Sequence, residues 1–472
     1  VFLDEVCEAT FGVQGGKPFH EKVVHRRLRL LTEAGRQWYD YLHIAYDGQL
    51  DTLSEVAARI DKPNGKTIEV QEWSDHPAIS GDGLHTTTRL RVADLSQVSP
   101  GDVVELRWRH RSQDAFLGHR WTFDHSWPTV SSRLVLTLPA GAEVATSFIE
   151  RGTYSAFEPQ RETLADGATR LTWSREKQPP APKTNVYAPP SRARESTLTY
   201  SIRKLPGAGV KDGILTSWKD YGVWYAHLLE GTGEATPRIR RIADKVLADA
   251  PEAAKERVAR LYRHVQDTVR YVSIQLGMGG WRPTPADEVA EQGLGDCKDM
   301  ASYLKTLLAT DGIDSDLVVL GTRTAYLTDT PGPNLRGHNH VILAVNLPDQ
   351  PRHFIDVTCR VCGYDDLLWG DQGTQVLIAD GPDSQLVRTP TSTPEDNHLV
   401  RDYDITLAAD GTATFRMVYE GSGEFAVHGR RTLYNLNQEE RERWLRRIPG
   451  GHGAVETTAT QIDNQGDFDA PL

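Results

Sequence analysis

The stretch GDCKDMASYLKTLLATDG, residues 295–312, decides how the rest of the chain is read. Met300, Ala301, Leu304, Leu307 and Leu308 recur at the spacing of one helix face, and Gly312 stands where a left-handed terminator ends a helix. This predicts a helix over about 298–310, with Cys297 just after a Gly turn and at the helix's first turn. Backbone N–H groups left unpaired at a helix start favour an anion, so a thiolate there becomes a nucleophile near neutral pH. A free cysteine is also a common small core residue, and further chemistry has to be found elsewhere in the chain.

A thiol nucleophile needs a base. His340 opens the apolar run His340-Val341-Ile342-Leu343-Ala344-Val345, a strand whose fixed backbone can hold an imidazole in one orientation. Asp356 lies in the next run, Phe354-Ile355-Asp356-Val357, and Leu347-Pro348-Asp349-Gln350-Pro351 supplies the turn between them. Pairing the two strands as a hairpin puts His340 and Asp356 at one end. The order Cys, His, Asp then gives each member a physical role: nucleophile, base, and a carboxylate that orients the imidazole and stabilises its charged form. Upstream, Thr236-Pro237 and the apolar spacings of 239–247 and 258–269 predict two amphipathic helices. Strands are predicted at 316–321, 340–346, 353–357 and 374–379, so helices precede antiparallel strands and residues 206–390 read as an α+β domain.

On either side the period is two. From Val23 to about Tyr200 apolar and polar residues alternate, beginning with Trp38, Asp40, Leu42 and Ile44 and separated by turns such as Glu33-Ala34-Gly35, and an antiparallel β-sandwich over residues 1–205 is the economical reading. The prolines of 179–182 and 188–190 belong to a surface loop or edge. Residues 391–472 read as a β-hairpin turning at Asp410-Gly411, then a helix after Asn437, in a β-rich domain expected to be incomplete. The fold class is thus multidomain α+β.

The 472 residues exceed the ~150 of one domain about threefold. A formal net charge of −12 without a dense Lys/Arg block argues against nucleic acid as a partner. No stretch approaches the ~20 consecutive apolar residues of a membrane helix, so no membrane span is expected. The chain begins at Val; a periplasmic or secreted location is expected if a leader has been removed, and a cytoplasmic one otherwise.

Several runs together resemble bacterial transglutaminase-like proteins: Tyr271-Val272-Ser273-Ile274-Gln275-Leu276-Gly277, Gly280-Trp281-Arg282-Pro283, Gly295 to Asp299, Asn339-His340-Val341-Ile342 and Ile355-Asp356. The region before the core, with Tyr46-Asp47-Gly48 and the aromatic run Trp218 to Tyr225, is similar to the β-rich, DUF3857-like domain that often precedes it. The resemblance implies a papain-like α+β core with a Cys297, His340, Asp356 triad, no cofactor, and a protein or peptide substrate. It departs from the family pattern at Val357, where Pro is common, at Met300-Ala301-Ser302, and at Gln275, which is more often acidic. Gln275 or the Trp281 indole would complete an oxyanion hole with the Cys297 backbone N–H. Protease or amidase action is favoured over transamidation. Cys359-Arg360-Val361-Cys362 admits a zinc site, a local disulfide or two free thiols, and free thiols are the expected state. A non-catalytic protein- or peptide-binding module and a zinc-binding protein using Cys359 and Cys362 are the alternative functions.

Overall fold

The computed structural model describes residues 1–37, 39–78, 84–113, 118–181, 195–275, 277–323, 333, 337–447, 459–468 and 470–472. Alternating side chains build an eight-stranded N-terminal sheet in the order Gln160–Thr163, Thr169–Gln178, Thr129–Leu138, Phe2–Gln14, Lys17–Arg29, Val103–Ser112, Asp51–Asp61, Thr67–Glu69. Cys7, Phe11, Leu134, Leu136 and Trp173 of this sheet pack against Trp121, Phe148, Leu198 and Tyr200 of a four-stranded sheet. Leu28, Ile60, Val104 and Leu106 pack against Leu42, Ile44 and Ala93 of a three-stranded sheet. The large sheet therefore carries two smaller covers side by side.

Two expectations change here. The sandwich is not wholly antiparallel: Phe2–Gln14 runs parallel to Thr129–Leu138, with Cys7 opposite Leu134. Phe2–Gln14 already forms a hairpin with Lys17–Arg29 on one side, and its free edge takes the strand that brings Leu134 and Leu136 beside Cys7 and Ala9. Glu33 to Gln37 form a short helix rather than a turn, and the strand expected near residue 38 begins at Tyr41. Trp38 and the prolines of 182–190 lie outside the described residues.

The central region is helical on one side and a five-stranded antiparallel sheet on the other, in the order His353–Ile355, His340–Asn346, Asp314–Leu320, Gln375–Ala379, Gln385–Arg388. The helix Cys297–Thr310 is buried along most of its length between that sheet and the helices Pro237–Leu247 and Ala254–Thr268. Thr236 Oγ1 accepts from Ile239 N at 3.3 Å ahead of Pro237, as its sequence predicts. Helices at Trp218–Leu228 and Ala286–Gln292 were not expected. In the first, Tyr221, Trp224 and Tyr225 are buried at helical spacing, but Val223 and Ala226 on the exposed side are apolar too, which blurs the contrast between the two faces in the sequence.

Past residue 390 the hairpin Leu399–Leu407 with Ala413–Gly421 is present, and Asn437 and Glu440 cap Gln438–Arg447 reciprocally at 2.9 and 3.0 Å. An unexpected helix, Glu424–Asn435, seats Val427 against Cys359, Val361 and Cys362. The N-terminal sheets are fastened to the core by strand pairing: Leu84–Thr86 runs parallel to Ser273–Gln275, and Gly277 N donates to Thr87 Oγ1 at 3.1 Å. No helix among the described residues is long and apolar enough to cross a membrane.

Gly222 shows how tightly the aromatic helix is seated: a Cβ there would lie 1.7 Å from Ser384 Oγ and 2.5 Å from the Gly381 carbonyl oxygen. Replacing Gly222 by Ala should therefore destabilise the protein by ~1–3 kcal/mol or more despite alanine's better helix propensity. The midpoint of urea unfolding measures this, and an unchanged or raised midpoint would refute the close fit.

Candidate active site

The site starts from a helix cap. Asp296 takes the N-cap position, where its Oδ1 accepts from Asp299 N, while Asp299 Oδ2 accepts from Asp296 N at 3.0 Å and Asp299 Oδ1 from Thr284 N at 2.7 Å. Gly295 lets this cap close, since a Cβ there would stand 2.9 Å from Asp299 Cβ. Lys298 forms an ion pair with Asp296, and both are buried. Burial raises the Asp296 carboxyl, against the pull of the Lys298 ammonium. Held between these groups, Cys297 is the first residue of the helix and remains partly exposed.

The base and the carboxylate come from the sheet. His340 and Leu320 are register partners, and Leu343, Ala344 and Val345 pair with Ile355, Phe354 and His353, so the hairpin brings His340 and Asp356 to one end. His340 Nε2 lies 3.1 Å from Asp356 Oδ2; with a carboxylate as acceptor, the ring N–H donates. Asp356 Oδ1 accepts from Thr358 N at 2.9 Å and Thr358 Oγ1 at 2.7 Å, and the Asp356 carbonyl accepts from Tyr262 OH at 3.1 Å. Burial alone would push the imidazole down, but the Asp356 carboxylate lifts it well above its ordinary range. Burial works the other way on Asp356, and His340 with Thr358 outweighs it, keeping the carboxyl below its usual range.

The His340 ring is also in hydrogen-bond contact with Cys297, so the three residues read from the sequence lie in one chain of contacts. Tyr271 reaches the same sulfur with its hydroxyl and is raised by burial and by Cys297. Tyr225, buried nearby, has no hydrogen-bond partner for its hydroxyl among the described residues. Neither tyrosine carries a chemical signal in the sequence, because Tyr225 in its aromatic run and Tyr271 beside Val272 and Ile274 read equally well as packing.

Cys297 and His340 open into a cavity of about 850 Å³ that residues of the N-terminal sheets and of the central region line together. Arg26 and Trp108 of the large sheet and Tyr46 and Trp121 of its two covers line it, as does Lys22, whose Nζ is 3.0 Å from His119 Nε2. Trp281 lines it too, packed edge-to-face on Trp224 with ring centroids 6.3 Å apart. The side chain of Gln275 lies outside the described residues. His338, also on the wall, contacts Tyr221 OH through Nδ1 at 3.0 Å and is pushed by burial down to about 4, hence neutral.

Cys359 and Cys362 form a disulfide, which corrects the expectation of free thiols and removes the zinc alternative built on them. Successive turns, Cys359 N to Asp356 O and Cys362 N to Cys359 O, bring their Cα atoms to 5.4 Å, and Gln266 Nε2 clamps both carbonyls. The nearby histidines point elsewhere, His353 to the Tyr364 carbonyl and His338 to Tyr221.

Fold and site together define an α+β core with a cysteine–histidine–aspartate constellation under a β-rich domain. Residues 20–182 match the family model DUF3857, described as a Domain of Unknown Function with solved-structure structure. The fold is similar to that of a "putative protease" from Parabacteroides distasonis, with a TM-score of 0.64 and 15% identity over 83% of this chain and 72% of that one. A "putative cysteine protease" from Cytophaga hutchinsonii aligns over 78% of this chain and 93% of its own at 11% identity and a TM-score of 0.25, too distant to inform the reading. The search of curated proteins finds no match.

Two of the four thiols are bonded to each other, and Cys7 is 3% exposed with its thiol pushed by burial up to about 11. Iodoacetamide at mildly acidic pH should consequently label the native protein at Cys297 alone, as mapped by mass spectrometry. Comparable labelling at Cys7 would remove the distinction drawn between the two free thiols.

Proposed function

We propose that the protein is a transglutaminase-like cysteine enzyme that cleaves a peptide or carboxamide bond through an acyl-thioenzyme. The observation that carries this reading is the unbroken contact series from Cys297 through His340 to Asp356, opening into a cavity large enough for a peptide segment. Cys297, its proton already held on the His340 ring, attacks the carbonyl carbon, forming the C–S bond and an oxyanion. The Cys297 backbone N–H, one of the amides a helix start leaves without an intrahelical acceptor, faces that charge, with the indole of Trp281 or the amide of Gln275 as second donor. As the tetrahedral intermediate collapses, His340 returns the proton to the leaving amine; water then adds to the thioester with His340 again as base, and the sulfur leaves. Asp356 keeps the ring oriented and its cationic form stable throughout.

Water is favoured over an amine as the second nucleophile because Lys22, Asp51 and His119 put groups that can hold water on the cavity wall, and transamidation needs a dry acyl pocket. The likeness of fold to a protein described as a "putative protease" agrees with this direction.

Incubation with a mixed peptide pool, read by mass spectrometry for new amino termini, tests the proposal. Hydrolysis should vanish in Cys297→Ala and fall by ~10²–10⁴-fold in His340→Ala, with thermal unfolding little changed. Incorporation of an added primary amine in place of water would make the protein a transamidase. Absence of any Cys297-dependent product, with peptide binding intact in Cys297→Ala, would make it a binding module.

A further inference from the structure

A second buried carboxyl group stands behind the triad. Asp371 ends the turn Trp369–Asp371, is 2% exposed, and offers an oxygen that lies with one carboxylate oxygen of Asp356 and a ring nitrogen of His340, all within 4.8 Å of one another. Its backbone is fixed: Asp371 N donates to the Leu368 carbonyl at 2.9 Å, and Thr389 Oγ1 donates to the Asp371 carbonyl at 2.6 Å. Its side chain is not satisfied, because Oδ2 finds no hydrogen-bond donor among the described residues. The donors nearby are committed to Asp356, His340 at Oδ2 and Thr358 at Oδ1. Two ionised carboxylates so close in a buried site repel, and an oxygen without a donor there adds a desolvation cost. One proton between them removes both problems, since it cancels a charge and supplies the missing donor.

We propose that Asp371 is a positioning residue, a neutral carboxylic acid that donates its proton to the Asp356 carboxylate and so holds that carboxylate on His340. This rests on the triad reading of Asp356 and His340. The charged groups around Asp371 agree with a neutral form. Asp356 and Glu424, whose carboxylate accepts from Trp369 N, oppose a further negative charge; His340 favours one; Arg323 is turned to the Gln372 carbonyl at 2.7 Å and to the Trp369 ring at 5.3 Å. Burial first, then Asp356, push the Asp371 carboxyl up to about 7. The proton is therefore held below that pH and lost as pH rises through it. The carboxylate that results repels Asp356 and keeps the His340 ring protonated to higher pH.

Histidine-labelled full-length protein, followed by NMR across neutral pH, tests this without any substrate. The His340 ring signals should show an inflection near pH 7 that is absent in Asp371→Asn, whose amide still donates to Asp356 but cannot ionise. In that variant His340 should bind its proton about tenfold more weakly, because the added negative charge never forms. An unchanged inflection and unchanged His340 titration would overturn the proposal. Should Asp371→Asn fail to fold, the infrared spectrum of the unmodified protein decides: a protonated-carboxyl C=O band must disappear near pH 7, and its absence overturns the assignment. One divalent cation per chain, removable by a chelator with loss of the His340 inflection, would also overturn it by showing that a metal neutralises the pair. None of these readouts needs turnover, so they remain decisive even if no hydrolysis is found.

Discussion

A carboxylate that is 1% exposed has to be paired, and the contact between Asp356 and His340 is the constraint around which the site is built. Leaving such a charge without its partner costs several kcal/mol, on the order of 3–5, so the elements that fix Asp356 also fix the imidazole. Each of them belongs to a different part of the chain. The hairpin supplies the register, Thr358 satisfies the second carboxylate oxygen, Tyr262 on a packed helix ties down the carbonyl, and the disulfide turn from Cys359 to Cys362 begins one residue beyond Thr358. Gln266, one turn along the same helix as Tyr262, holds that turn by its two carbonyls. The disulfide thus braces the segment that follows Asp356.

The thiol is held by independent means. Its helix start is shaped by the reciprocal Asp296–Asp299 cap and by the missing side chain at Gly295. What brings the two halves into one register is the core behind them, where Met300, Leu304 and Leu307 of the helix pack with Leu317, Val341 and Leu343 of the sheet. The N-terminal sheets contribute as well, since Leu84–Thr86 adds a strand beside Ser273–Gln275, and Lys22, Arg26 and Trp108 of the large sheet line the same cavity as Cys297. The β-rich N-terminal region is therefore part of the cavity's wall.

Much of this was legible in the sequence wherever the signal is local. The helix from Cys297, the strand from His340, the turn before His353 and the caps at Thr236 and Asn437 each rest on residues within about one turn or one strand of one another, and these came through with shifts of a residue or two. The cysteine pair shows the limit of spacing alone: two thiols three residues apart fit a disulfide, a half zinc site or free thiols equally, and only the turn that Gln266 clamps separates them.

Contacts that join distant segments leave no period to read. Cys7 beside Leu134 in a parallel pair, Thr87 bonded to Gly277, and Arg26 lining one cavity with Cys297 are separated by more than a hundred residues each. Asp371 is the sharpest case. In Trp369-Gly370-Asp371-Gln372-Gly373 it looks like any polar turn residue, and every property that sets it apart is imposed from elsewhere: Asp356 and His340 from the hairpin, Thr389 from beyond the next strands, Glu424 from the start of a later helix. A triad can be inferred from three local patterns because each member has its own backbone signal. The carboxyl that stands behind it has none, since its role is created only when the sheet, the turn and the later helix close around one buried charge.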